Sequence, residues 1–174
     1  MKVVSISGSL RENVGKKDAK KVRNNACVPC VIYGGKEQVH FFTSSKSFLN
    51  IVFTPEVCFI KIDVDGKQYE TILQDIQFHP VTDIVYHADF MEFSNDKPIM
   101  MNVPIKIIGV APGILKGGKL VQKFRKLKVK ALPGNMPEAI EININSLEIG
   151  MLIKVVDLIN DNYQILDNLS LIHI

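Results

Sequence analysis

The chain has no tryptophan, and aromatic residues make up only 7% of its 174 positions. It has three cysteines, Cys27, Cys30 and Cys58. An odd, small number excludes a disulfide framework. There is no second C-x-x-C and no H-x-x-x-H pair, which argues against a four-ligand structural zinc site as well. A redox C-x-x-C opens a helix after a strand, whereas "CVIYGG" continues as a strand, so the thiols are expected to be free and buried or half-buried. No stretch approaches the roughly 18 consecutive apolar residues of a membrane span. The N-terminal "MKVVSISGSLREN" is too short and too broken by serine and glycine to read as a signal peptide. The expectation is a cytoplasmic protein with no membrane partner.

What is present is ordinary in bulk and uneven in detail. The composition is 47% hydrophobic and 22% charged, which suits a globular protein. The length suits two small domains, each burying roughly 60 to 65% of its unfolded surface. Net charge is only +3, but its distribution is polarised. Residues 1–50 carry 9 Lys/Arg against 3 Asp/Glu, and residues 51–97 carry 3 against 9. Residues 98–174 carry 9 against 6. The segment "RENVGKKDAKKVR" (Arg11 to Arg23) holds six of the cations with two anions. Such clustering is the electrostatic footprint of a polyanion-binding surface.

Period-two alternation dominates the chain and predicts a mainly β protein with short helices. Lys2 to Leu10 reads as a strand. "KKDAKKVRNNA" has helical spacing, with Ala19, Val22 and Ala26 on one face and lysines around the rest. "VPCVIYGG" and "QVHFFTS" read as strands, and "SSKSFLNIVF" as a short helix or loop. "VCFIKIDVDGKQYETILQDIQ" is the clearest hairpin, turning at Asp65-Gly66. "HPVTD" makes a bend before a strand from Ile84 to Phe93. The polar, proline-ended "SNDKP" has linker character, dividing the chain into residues 1–94 and 95–174. In the second part "IMMNVPIKIIG", "LKVKALP", "AIEININ", "MLIKVVDL" and "LSLIHI" read as strands, separated by Gly/Pro turns. That pattern predicts an all-β sandwich or barrel.

Four constellations could carry chemistry. "GILKGGK" (Gly113 to Lys119) matches a phosphate-loop spacing, but Leu120 stands where the Mg²⁺-binding Ser/Thr belongs and a strand follows. It reads as a glycine-rich hairpin. His87 and Asp89, two apart on one strand, therefore point the same way. With His79 or His173 they could supply a two-histidine, one-carboxylate metal site, the basis of an alternative reading as a metal-dependent enzyme. They could also form a general-base pair, although no Ser or Cys sits in a nucleophile elbow. Finally, Gln74, Gln77, His87 and Asp89 lie on or beside adjacent strands. Amide, imidazole and carboxylate groups can read base edges while a lysine-rich helix neutralises phosphates. Nucleic-acid recognition is the expectation these residues support best, with no enzyme activity and no cofactor.

The residues also resemble a known family. "LRENVGKKDAKKVR" is followed by "VPCVIYGG", then by "DGKQYETILQDIQFHPVTDIVYHADFMEF". Further on, "VPIKIIGVAPGILKGGKLVQ" precedes "LKVKALPGNMPEAIEININSLEIGMLIKVVDL". The order and spacing resemble the two-domain form of the bacterial large-subunit ribosomal protein that binds 5S rRNA, whose long members are called general stress protein Ctc. The resemblance covers nearly the whole chain. It implies a six-stranded β-barrel-like RNA-binding domain over residues 1–94, seated on the irregular internal loop of 5S rRNA. It implies an all-β, sandwich-like domain over residues 95–174, which could meet other ribosomal proteins or rRNA. The base-reading groups would be Gln74, Gln77, His87 and Asp89. Backbone contacts would come from Arg11, Lys16, Lys20, Lys21 and Arg23, with Tyr33 at the edge. Two departures are visible: Phe78 stands where many relatives carry a basic residue, and "NNACVPC" replaces the glycine often found before the Val-Pro pair.

Overall fold

Alternating burial marks the strands in the computed structural model, which describes residues 2–35, 37–52, 57–158, 162–167 and 170–173. The chain divides into two compact units, Met1–Ser94 and Asn95–Ile174. The first contains β1 (Lys2–Leu10), α1 (Lys16–Asn24), β2 (Cys27–Tyr33) and β3 (Val39–Ser44). A 3-10 turn (Ser45–Phe48) and α2 (Leu49–Val52) lead to β4 (Cys58–Val64), β5 (Lys67–Phe78) and β6 (Val85–Glu92).

These six strands close into a barrel in the order β1-β3-β2-β6-β5-β4. β1 closes the ring by pairing in parallel with β4, from Lys2 opposite Cys58 to Gly8 opposite Val64. β2 and β6 are also parallel. Closure removes the exposed strand edges that invite aggregation. Inward residues from every strand fill the interior, among them Ile6, Ile32, Phe41, Ile60, Ile62 and Phe90. The Phe90 ring lies 5.9 Å from that of Phe41 and 6.3 Å from that of Phe48. Thr71 is fully buried, and its hydroxyl donates to the Ile60 carbonyl at 3.0 Å, so this polar group keeps a partner in the core. A Cβ on Gly8 would sit 2.6 Å from Phe41 Cδ2 and 2.9 Å from the Phe42 carbonyl oxygen; β1 passes β3 this closely only because no side chain intervenes. At the β4–β5 turn, Asp65 and Gly66 take φ of 51° and 89°, matching the strand twist as the sequence predicts.

One local expectation fails in this unit. The helix stops at Asn24, and Ala26 lies outside it, exposed, with φ of 54°. Ala26 therefore belongs to the turn into β2, and the helical stripe reduces to Ala19 and Val22, both half-buried.

The second unit holds β7 (Ile99–Ile108), α3 (Pro112–Leu115), β8 (Val121–Gln122), β9 (Lys126–Ala131) and β10 (Ile140–Asn143). It continues with β11 (Leu152–Lys154), β12 (Gln164–Ile165) and β13 (Ser170–His173). They form a four-stranded sheet, β10-β7-β9-β12, and a three-stranded one, β11-β13-β8. Here "GILKGGK" differs from the expected hairpin. It starts inside α3, which has Pro112 at its first position, and β8 follows it. No helix follows Lys119, so phosphate-loop geometry is ruled out. "MLIKVVDL" is a strand only over Leu152–Lys154, and a 3-10 turn at Val155–Leu158 then buries Val155. Packing overrides the β preference of the two valines there. No described helix is long and apolar enough to cross a membrane.

Candidate nucleic-acid interface

β5 and β6 run antiparallel with two register shifts. Gln77 stands opposite His87, and Asp75 opposite Asp89. Gln74 and Tyr86 fall at the shifts, with no residue directly across. Such bulges bend a strand and re-aim its side chains. His87 and Asp89 alternate with the fully buried Ala88 and Phe90, so the pair faces out of the barrel. Gln74, Asp75 and Gln77 are exposed on the neighbouring strand.

His87 Nδ1 lies 2.8 Å from Asp89 Oδ1. The contact is short but not aligned as a hydrogen bond, and Oδ1 is buried with no hydrogen-bond partner. An unsatisfied buried acceptor costs about 1 to 3 kcal/mol. The carboxylate is thus short of a donor, and the carboxylate of Asp75 directly across cannot supply one. On the other side of β6, Val31 of β2 pairs with Asp89 and Tyr33 with Met91. Burial, then the charges of Asp89 and Asp75, push the Tyr33 phenol up from its ordinary pKa, so it keeps its O–H.

α1 has no buried residue and no side-chain N-cap. Propensity alone would leave so short a helix marginal, and two side-chain contacts tie it down. Near its start, Arg11 donates from Nε and Nη2 to Asp18 Oδ2 at 2.9 and 2.7 Å. At its end, Arg23 Nε donates to the Tyr86 carbonyl at 3.0 Å. The Arg23 guanidinium carbon sits 3.4 Å from the centroid of the Tyr86 ring. The end of the helix is therefore held beside Tyr86 of β6, with Lys16, Lys17, Lys20 and Lys21 exposed.

Nine of the ten expected residues thus sit on α1, β2, β5 and β6 (Lys16, Lys20, Lys21, Arg23, Tyr33, Gln74, Gln77, His87 and Asp89). Arg11 is set apart: its side chain is only 6% exposed and turned onto Asp18. Tyr86 escaped the sequence reading because its partner lies 63 positions away. The only local hint was an aromatic beside the histidine.

The competing chemistries lose their parts. Among the described residues no group of three His, Cys, Asp or Glu could hold a metal. His79 Nδ1 instead accepts the Val81 and Thr82 N–H groups, each at 3.3 Å, and the side chain of His173 lies outside the described residues. Cys27 and Cys30 are free thiols, Cys58 is buried, and burial, followed by the Asp89 charge, pushes the Cys30 thiol up. A thiol held protonated is no nucleophile.

A closed barrel that carries a cationic helix and a strip of amide, imidazole and carboxylate groups has the features of the nucleic-acid-binding β proteins as a class. Comparison with known proteins narrows this. Residues 6–90 match the Ribosomal L25p family, and residues 98–174 match the C-terminal domain of ribosomal protein TL5. The chain belongs to the ribosomal L25p family. It is 45% identical over 166 residues to the large ribosomal subunit protein bL25 of Amoebophilus asiaticus, covering 95% of this chain and 85% of that one. The bL25 of Cytophaga hutchinsonii is 42% identical over 171 residues, covering 98% and 89%. That of Bacteroides fragilis is 45% identical over 148 residues, covering 85% and 76%. This is a family of ribosomal proteins and not of enzymes, which overturns the reading of His87 and Asp89 as a metal-dependent catalytic pair.

Proposed function

We propose that the chain is a structural protein of the large ribosomal subunit whose residues 1–94 bind the irregular internal loop of 5S rRNA. The observation that carries this reading is the Arg23–Tyr86 contact, which fixes the basic helix beside the strand bearing His87 and Asp89. Lys16, Lys20, Lys21 and Arg23 neutralise phosphates. Gln74, Gln77, His87 and Asp89 meet base edges in a minor groove opened by non-Watson–Crick pairs, with Tyr33 at the rim. Arg11 enters as the residue that fixes the helix through Asp18. Asp89 is the selective element. A carboxylate facing a polyanion is repelled unless it accepts specific donors, such as a base amino group, so it penalises the wrong RNA. The Asp89 side chain is 30% exposed beside His87, which supports its meeting such a donor.

Titrating the full chain against 5S rRNA and a generic duplex at several salt concentrations tests this. Lys20→Ala should weaken binding to both RNAs and make the log–log salt slope shallower by about 0.7 to 0.9. His87→Ala or Asp89→Ala should cost about 1 to 3 kcal/mol, mainly on 5S rRNA. If His87→Ala kept the full preference for 5S rRNA over the duplex, base reading by this strip would be wrong.

A further inference from the structure

Between Ala111 and Lys130 there are seven cations and no anion. Five of them crowd into Lys123–Lys130, around Phe124. Only α1 is as dense, and α1 includes Asp18. On β9 the fully buried Leu127 and Val129 and the buried Ala131 alternate with exposed Lys126, Lys128 and Lys130. The three lysines therefore share the outer face of the sheet, about 6.6 Å apart in steps of two residues.

β7 and β12 flank β9. Opposite Lys126, Lys128 and Lys130 on β7 stand Pro104, Asn102 and Met100, and Gln164 of β12 also faces Lys130. None of these is acidic. Elsewhere on this unit carboxylates do answer lysines: Glu141 lies 4.0 Å from Lys106 and Glu148 3.1 Å from Lys116. Asp167 Oδ2 accepts the backbone N–H of Lys128 at 2.8 Å, binding the strand's main chain. Among the described residues, none of the three ammonium groups pairs with a carboxylate. Like charges this close along one strand face repel one another, so the row adds nothing to the stability of the fold.

We infer that the outer face of β9 is a second RNA-contacting surface, on which Lys126, Lys128 and Lys130 neutralise a phosphate backbone without reading bases. Lysine is depleted at the cores of protein–protein interfaces, whereas rows of lysine are what counterion release from a nucleic acid rewards. The inference goes beyond the proposed 5S rRNA contact, because it gives the second unit a ligand class of its own.

The test uses the full chain with Lys126→Gln, Lys128→Gln and Lys130→Gln combined, and a generic RNA duplex titrated at several salt concentrations. The triple variant should bind at least tenfold more weakly in low salt, and its log–log salt slope should be shallower by about 2 to 3. The same three positions changed to arginine should bind like the parent, which separates charge from any loss of fold. In a chain with Lys16→Ala, Lys20→Ala and Lys21→Ala, salt-sensitive duplex binding should persist and disappear when the β9 changes are added. Unchanged duplex affinity and slope in the glutamine variant would overturn the inference, even where Lys20→Ala still weakens binding. So would competition by polyglutamate as strong as by RNA, which would mark an acidic protein as the partner. Loss of 5S rRNA preference with the β9 effect intact would count against the first site alone.

Discussion

Ala26 holds a left-handed backbone at φ of 54°, a conformation that costs a residue with a Cβ about 1 kcal/mol. Its N–H donates to the Arg23 carbonyl and its carbonyl accepts the Ser45 N–H, both at 3.1 Å, so the surrounding bonds impose the angle. A glycine would take this angle without that strain. Ala26→Gly should raise stability by up to about 0.5 kcal/mol, the strain relieved being largely offset by glycine's greater freedom in the unfolded chain; urea denaturation reads this directly. At the same scale, His87 and Asp89 were legible as a same-side pair from their spacing alone, and the buried Ala88 and Phe90 between and after them show that the side is the outer one. That Arg11 is occupied by Asp18 was not, because a cation in a basic run looks the same whether it meets solvent or a neighbouring carboxylate.

Among the elements, α1 shows how far pattern carries. Its cations and period were readable, but what holds it was not. A helix with no buried residue depends on its two anchors, and one of these reaches across to β6. Tyr86→Ala should remove the ring beneath Arg23 and cost the helix about 0.5 to 1 kcal/mol. Amide exchange should quicken over Lys20–Asn24 and stay unchanged along the β4–β5 hairpin; equal exchange in α1 would show that the helix does not need the contact. The strands were the easier part, since alternation writes burial into the sequence. "MLIKVVDL" misled because two adjacent valines favour a strand in any context, while the local core required Val155 to turn inward.

For the whole molecule, the polarisation of charge was visible by counting, yet counting over long segments also hid something. A balance of 9 against 6 over residues 98–174 conceals the anion-free stretch that supplies β9. Topology was less legible still: alternation gives strands but not their order, and the parallel β1–β4 and β2–β6 pairings came only with the structure. Because the barrel is closed around one core, damage at its centre should spread to all six strands. Phe90→Ala should destabilise the barrel by about 3 to 5 kcal/mol, measured by the chemical-denaturation midpoint of barrel probes such as Tyr69 fluorescence. A loss below 1 kcal/mol would mean the rings around Phe90 can collapse into the space.

The β1–β4 seam also governs how the chain is made. Lys2 pairs with Cys58 and Gly8 with Val64, so β1 waits for 56 more residues before its partner along this seam exists. At bacterial synthesis rates that wait is roughly 3 to 11 s. Until then β1 meets only β3, at Ser9 and Leu10, and the rest of the strand is open to pairing with another nascent chain. Its makeup suits the exposure: Ser5, Ser7, Gly8 and Ser9 keep it polar, and Ile6 is its single buried side chain. The sparse hydrophobicity that makes β1 look like a weak strand is what lets it wait without sticking.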